Sequence, residues 1–166
     1  MKNSMLLEIT ALSENENFAR SAVAVFALCL QPSLEEISDI KTAVSEAVTN
    51  CVVHAYPHGQ EDPKIRIECT AEREGEQGGV LHIRITDFGR GIENVDIALQ
   101  PFYTTLEREE RSGLGFTIMQ TFCDGFSLES EEGKGTVVHM RKRIGGKEKL
   151  REDPSAFAEE RTEVNA

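Results

Sequence analysis

No run of apolar residues in this sequence approaches the roughly 18 needed to cross a bilayer, and the opening Met1-Lys2-Asn3-Ser4 lacks the shape of a secretory signal. A membrane role is not expected, and a cytoplasmic protein is. Basic residues are few: 18 Lys and Arg stand against 29 Asp and Glu, a formal net charge of -11. Without a cationic excess to displace counterions from phosphates, direct nucleic-acid binding is disfavoured. The charge is compatible with a basic protein partner, and equally with a surface that is acidic only for solubility. Cysteine is scarce. Cys29, Cys51, Cys69 and Cys123 form no C-x-x-C pair and lie in apolar segments, so they read as reduced core thiols rather than metal ligands. The Walker motif G-x-x-x-x-G-K-[ST], the G-x-S-x-G elbow and H-E-x-x-H are all missing. His54 and His58 are four apart, but Pro57 interrupts the helix that would align them. His82 and His139 fall in strand patterns and read as surface or satisfied strand residues. Internal repeats and low-complexity tracts are absent.

What is there suffices for one compact domain: 166 residues, 39% of them hydrophobic, which can bury about two-thirds of the surface the unfolded chain exposes. Ser13 with Glu16 reads as a capping box opening a helix whose apolar positions are Phe18, Ala22, Val25, Phe26 and Cys29. Ser33 with Glu36 opens a second helix with a stripe of Ile37, Ile40, Val44, Ala47, Val48 and Cys51, stopped after Tyr56 by Pro57 and Gly59. The period then changes to two. Ile65, Ile67 and Cys69 alternate with polar residues, as do Leu81, Ile83 and Ile85, which predicts an antiparallel hairpin. A short helix is expected at 115–122, with a weaker helical hint at 95–99. A closing hairpin carries Phe126, Leu128, Val138 and Met140, and Leu6 to Ile9 is expected to add an edge strand. The expected fold class is α+β: a two-layer α/β sandwich with helices on one face of a mixed, mostly antiparallel sheet. Residues 144–166 are charged and read as a disordered tail, apart from a hint of helix at 156–161.

Several residues could carry chemistry. Glu46 and Asn50, four apart on the second helix, share a face beside its apolar stripe. A carboxylate can polarise a hydroxyl and an amide oxygen can ligate magnesium, but such a pair is also common on any solvated helix face. Asp87-Phe88-Gly89-Arg90-Gly91 follows a buried-looking strand and could present a carboxylate to an exocyclic amine, or could simply terminate the strand in a turn. Ser112-Gly113-Leu114-Gly115-Phe116 precedes a helix, where bare backbone N–H groups can cradle phosphate. The stretch 91–112, with Thr104, Thr105, Arg108 and Arg111, has the composition of a lid, or of an ordinary solvated loop.

Taken in order, Glu46-Ala47-Val48-Thr49-Asn50, Asp87-Phe88-Gly89-Arg90-Gly91-Ile92 and Gly113-Leu114-Gly115-Phe116 resemble the N, G1 and G2 boxes of the GHKL superfamily. That superfamily includes gyrase ATPase domains, histidine kinase catalytic domains and anti-sigma serine kinases. The stretches Ser13 to Arg20, Ile40 to Asn50, Gln100 to Thr105 and Arg111 to Met119 are most similar to the sporulation anti-sigma F branch, and the likeness covers about residues 1–143. The resemblance implies a Bergerat fold that binds Mg-ATP or ADP and acts as a protein-serine kinase. In it, Glu46 would be the base activating a serine hydroxyl and Asn50 the Mg2+ ligand. Asp87, flanked by Gly89 and Gly91, would recognise adenine, with Thr136 nearby. Gly113, Leu114, Gly115 and Phe116 would bind phosphate, Thr104, Thr105 and Ser112 would belong to the lid, and Arg20 would touch protein partners. The implied partners are a sporulation sigma factor, an anti-anti-sigma factor that receives the phosphate, and a second copy in a homodimer. Leu106 stands where such kinases often carry Lys, and the hairpin link Glu72 to Gly79 is longer than expected for them. The alternatives are a detached histidine kinase catalytic domain, disfavoured because no dimerisation helix pair is seen, a binding module without transfer, and a gyrase-like ATPase lacking its transducer.

Overall fold

The alternating segments become five strands: β1 (Lys2–Thr10), β2 (Lys64–Arg73), β3 (Gly79–Asp87), β4 (Gly125–Glu131) and β5 (Gly135–Ile144). They come from a computed structural model that describes residues 2–56, 60–75, 77–101 and 113–145. The strand order is β1-β2-β3-β5-β4. Every pairing is antiparallel, so the sheet among the described residues has no parallel pair. Register sets Ile67 beside Ile85 and Ile85 beside Val138, which puts Ile65, Ile67, Cys69, Leu81, Ile83 and Met140 on one face. All of these are buried. The opposite face carries the intervening charged residues and, among the described residues, no helix, which gives two layers.

Among the described residues four α-helices accompany the sheet on its apolar side: α1 (Glu16–Ala27), α2 (Leu34–Asn50), the single turn α3 (Val95–Ala98) and α4 (Gly115–Phe122). α2 starts as its sequence dictates. Ser33 Oγ accepts the Glu36 N–H at 3.2 Å and Glu36 Oε2 accepts the Ser33 N–H at 2.7 Å, a cap worth about 1 kcal/mol. Its stripe Ile40, Val44, Ala47 and Val48 is buried, and the helix continues without a break into a π-helical turn, Cys51–Ala55.

α1 differs from the sequence reading. Ser13 does not cap it, for Ser13–Asn15 form a 3-10 turn entered from Leu12, and the Glu16 carboxylate instead accepts a hydrogen bond from Thr49 Oγ1 at 3.0 Å. Its buried face is Ala19, Val23, Ala24 and Ala27, whereas Phe18 and Val25 are 55% and 66% exposed. Small residues let α1 lie close on α2, and close packing places the larger side chains outward.

Polar contacts tie the strands to the helix layer. Lys142 points inward from β5 and donates to Asp39 Oδ2 on α2 and to the Phe122 carbonyl at the end of α4, both at 2.7 Å. A cation at a helix C-terminus is favourable there. The long hairpin link resolves into a five-residue turn between β2 and β3 because both strands run beyond their apolar cores. Its Gly78 N–H donates to the Leu30 carbonyl at 3.2 Å, anchoring the turn to the end of the α1 segment. Ile144 is buried within β5, one residue past the expected domain end.

Candidate functional site

Between α2, its π-helical extension, the loop after β3 and the start of α4 lies a cavity of about 720 Å³. One wall is α2. Glu46 and Asn50 open onto the cavity from the same face, as their four-residue spacing requires. Facing them is the N-terminus of α4, where Gly113, Leu114, Gly115 and Phe116 line the opposite wall. The approach is tight. A methyl group on Gly115 would sit 3.2 Å from Glu46 Oε2 and 3.3–3.4 Å from the Asn50 amide. Gly113 adopts φ +65, a left-handed conformation that favours glycine and turns the chain into the helix. The first turn of α4, whose N–H groups lack intrahelical partners, therefore begins within a few ångströms of a carboxylate and an amide.

At the other end of the cavity sits Asp87, the last residue of β3 and only 4% exposed. Its Oδ1 accepts the Gly89 N–H at 3.0 Å and the Thr136 N–H at 3.2 Å, so the carboxylate is held in one orientation. Burial pushes its carboxyl above the ordinary range, while the two N–H donors and the Cys51 thiol pull the other way. Burial likewise pushes the Cys51 thiol well up, and the nearby Asp87 charge adds to it. Gly89 shapes the pocket without lining it: a Cβ there would meet the Ala55 carbonyl at 2.1 Å. Gly91 lines the cavity at φ +72, packed so closely on Glu131 that a side chain is excluded. Thr136 lines the cavity beside Asp87, and its hydroxyl is 2.9 Å from Ser130 Oγ.

Nine residues expected from the sequence thus meet in one cavity, and Gly89 supports it from behind. Arg20 does not belong to it; half-buried on α1, its guanidinium donates to Ser45 Oγ on α2 at 3.3 Å. Thr104, Thr105, Ser112 and the lid residues Leu106, Arg108 and Arg111 lie outside the described residues, as do Pro57, His58, Gly59 and 146–166. Sequence reasoning missed several lining residues. Cys51 and His54 come into the cavity on the π-helical turn; His54 continues the four-residue spacing of Glu46 and Asn50, a signal that was available. Arg90 also lines it, and Ser130 braces it by accepting the Ile92 N–H at 2.8 Å.

Residues 9–142 match the family of the histidine kinase-like ATPase domain. The chain is also 48% identical over 143 residues to the anti-sigma F factor of a Thermoanaerobacter species, covering 86% of this chain and 95% of the relative. The chain belongs to the anti-sigma F factor family. Further members of that family are similarly close, one from Caldanaerobacter subterraneus subsp. tengcongensis at 50% identity (86% and 95% covered) and one from Clostridium botulinum at 49% (86% and 96%). Among solved structures, the RsbU and RsbW domains of a Mycobacterium tuberculosis protein share the fold at 16% identity and a TM-score of 0.57, over 86% of this chain and 32% of that one. In this anti-sigma F family chain the α+β sandwich is thus that of a histidine kinase-like ATPase domain.

Proposed function

We propose that the chain is a Mg-ATP-dependent protein-serine kinase that holds a sporulation sigma factor and phosphorylates an anti-anti-sigma factor on serine. The observation that carries this reading is the approach of Gly115 to Glu46 and Asn50, which sets a helix start directly against a carboxylate and an amide, groups suited to holding phosphate, a proton and a metal ion. Adenine would occupy the Asp87 and Thr136 end, its amine donating to the Asp87 carboxylate, and the phosphates would lie at Gly113 to Phe116.

The donor set fits magnesium. Among the described residues no cluster of three His, Cys, Asp or Glu exists, and Mg2+ asks for none, since it takes one or two protein oxygens with waters and phosphate oxygens completing its shell. Asn50 would hold it, and the bound ion would neutralise charge on the β- and γ-phosphate oxygens. Glu46 orients the incoming serine hydroxyl and accepts its proton as the serine oxygen bonds to the γ-phosphorus. The bond from that phosphorus to the bridging oxygen breaks, and ADP departs. α4 supplies fixed N–H dipoles to the transferring group. Arg20 and the exposed Phe18 and Val25 on α1 form the surface we assign to protein partners, the second copy of a cytoplasmic homodimer included.

Two substitutions separate the roles. Glu46→Gln should bind ATP normally and lose transfer by about 10²–10⁴-fold, the usual worth of a general base; unimpaired transfer would remove Glu46 from the mechanism. Asn50→Ala should keep its circular dichroism spectrum and melting temperature but fail to bind Mg-ATP by calorimetry. Normal binding by that variant would refute the metal assignment.

A further inference from the structure

The sheet face turned away from the helices has an uneven distribution of charge. Register pairs His82 with Arg141 and Arg84 with His139 across β3 and β5, and Arg143 follows on β5. These five side chains make a nitrogen-rich stripe down the two central strands of a protein whose net charge is -11. Flanking carboxylates offset part of this charge: Glu68 on β2 reaches Arg84 at 2.9 Å, Glu74 in the turn between β2 and β3 reaches Arg143 at 2.8 Å, and Glu129 on β4 reaches His139 at 3.3 Å. Arg141, in the middle, is exposed and has no carboxylate within ion-pair distance among the described residues. Beside it Gly125 contributes no side chain, which leaves a groove of about 450 Å³ whose walls include His82, Arg84, Ser127, His139 and Arg141. Among the described residues no helix covers this face.

We propose that the acidic C-terminal segment of the same chain, residues 152–166, docks on this cationic stripe. Charge complementarity favours it: the segment carries Glu152, Asp153, Glu159, Glu160 and Glu163 against the single Arg161. Reach permits it. β5 leaves the sheet at Gly145, about 13 Å beyond Arg141 at the usual strand rise, and the six residues 146–151 can span about 20 Å. Gly145 adopts φ +70, the left-handed conformation with which a chain reverses direction after a strand. Tethering supplies an effective concentration in the millimolar range, so contacts too weak to hold a free peptide suffice.

Amide ¹⁵N spectra of the full chain test this, comparing the native sequence with a variant in which the five acids are neutralised (Glu152→Gln, Asp153→Asn, Glu159→Gln, Glu160→Gln, Glu163→Gln). The expected result is a set of shift differences centred on residues 82–84, 125–127 and 139–141, independent of protein concentration. The native spectrum should move toward that of the variant as salt rises to about 0.5 M, where the Debye length falls to a few ångströms. Three results would overturn the proposal. Spectra that superimpose over the sheet face would show that the segment is elsewhere. Differences that grow with protein concentration would assign the stripe to a second copy. A face untouched by the neutralised segment but shifted by polyglutamate added in trans would assign it to an acidic partner.

Discussion

Asp87 is a buried carboxylate that costs the fold hydration while lining the cavity. A carboxylate only 4% exposed loses hydration that two N–H donors and a thiol restore in part, and its proton is held more tightly in the folded chain than in the unfolded one. The folded state therefore binds more protons, and this residue's contribution to stability falls as pH rises from the ordinary value of 3.8 through the raised one. Asp87→Asn removes that dependence. Urea midpoints across a pH series should show the variant at least as stable as the parent at neutral pH, while calorimetry shows nucleotide affinity lost; a variant less stable at neutral pH would contradict the assignment. The same physics makes ATP affinity of the parent fall in acid, as Asp87 protonates and ceases to be a pure acceptor. Gly115 makes the complementary case. Alanine would favour a helix interior, yet its methyl would press on Glu46 and Asn50, so Gly115→Ala is expected to weaken nucleotide binding far more than it changes the melting temperature.

For whole elements, the sequence was most legible where one pattern had one cause. α2 carried its cap, its stripe and its cavity-facing pair Glu46 and Asn50 together, and each was readable because burial and cavity lining fall on adjacent faces of one long helix. The strands were readable from alternation, since register aligns each apolar residue with its neighbours on one sheet face. α1 was harder. Its larger apolar residues, Phe18 and Val25, suggested the buried face, but the close approach to α2 selects Ala19, Val23 and Ala27. Side-chain size, not hydrophobicity, decides that interface. Ala27→Leu should accordingly cost about 1–3 kcal/mol through overpacking, whereas Phe18→Ala should change stability by no more than about 0.5 kcal/mol, both measured by urea denaturation. The π-helical turn that brings Cys51 and His54 into the cavity was not legible, because a shift of hydrogen-bond register leaves no mark in hydropathy.

Across the whole molecule, three segments far apart in sequence converge on one cavity because β3 and β5 are neighbours and α2 packs against α4. That convergence turns three weak motifs into one site, and membership of the anti-sigma F factor family agrees with it. The account stands or falls on phosphoryl transfer. The direct measurement is incubation of the purified chain with γ-labelled Mg-ATP and an anti-anti-sigma protein, followed by acid treatment. We predict acid-stable label on a serine of that partner, absent with Glu46→Gln. Acid-labile label, or no label from a chain shown to bind ATP, would contradict the kinase reading.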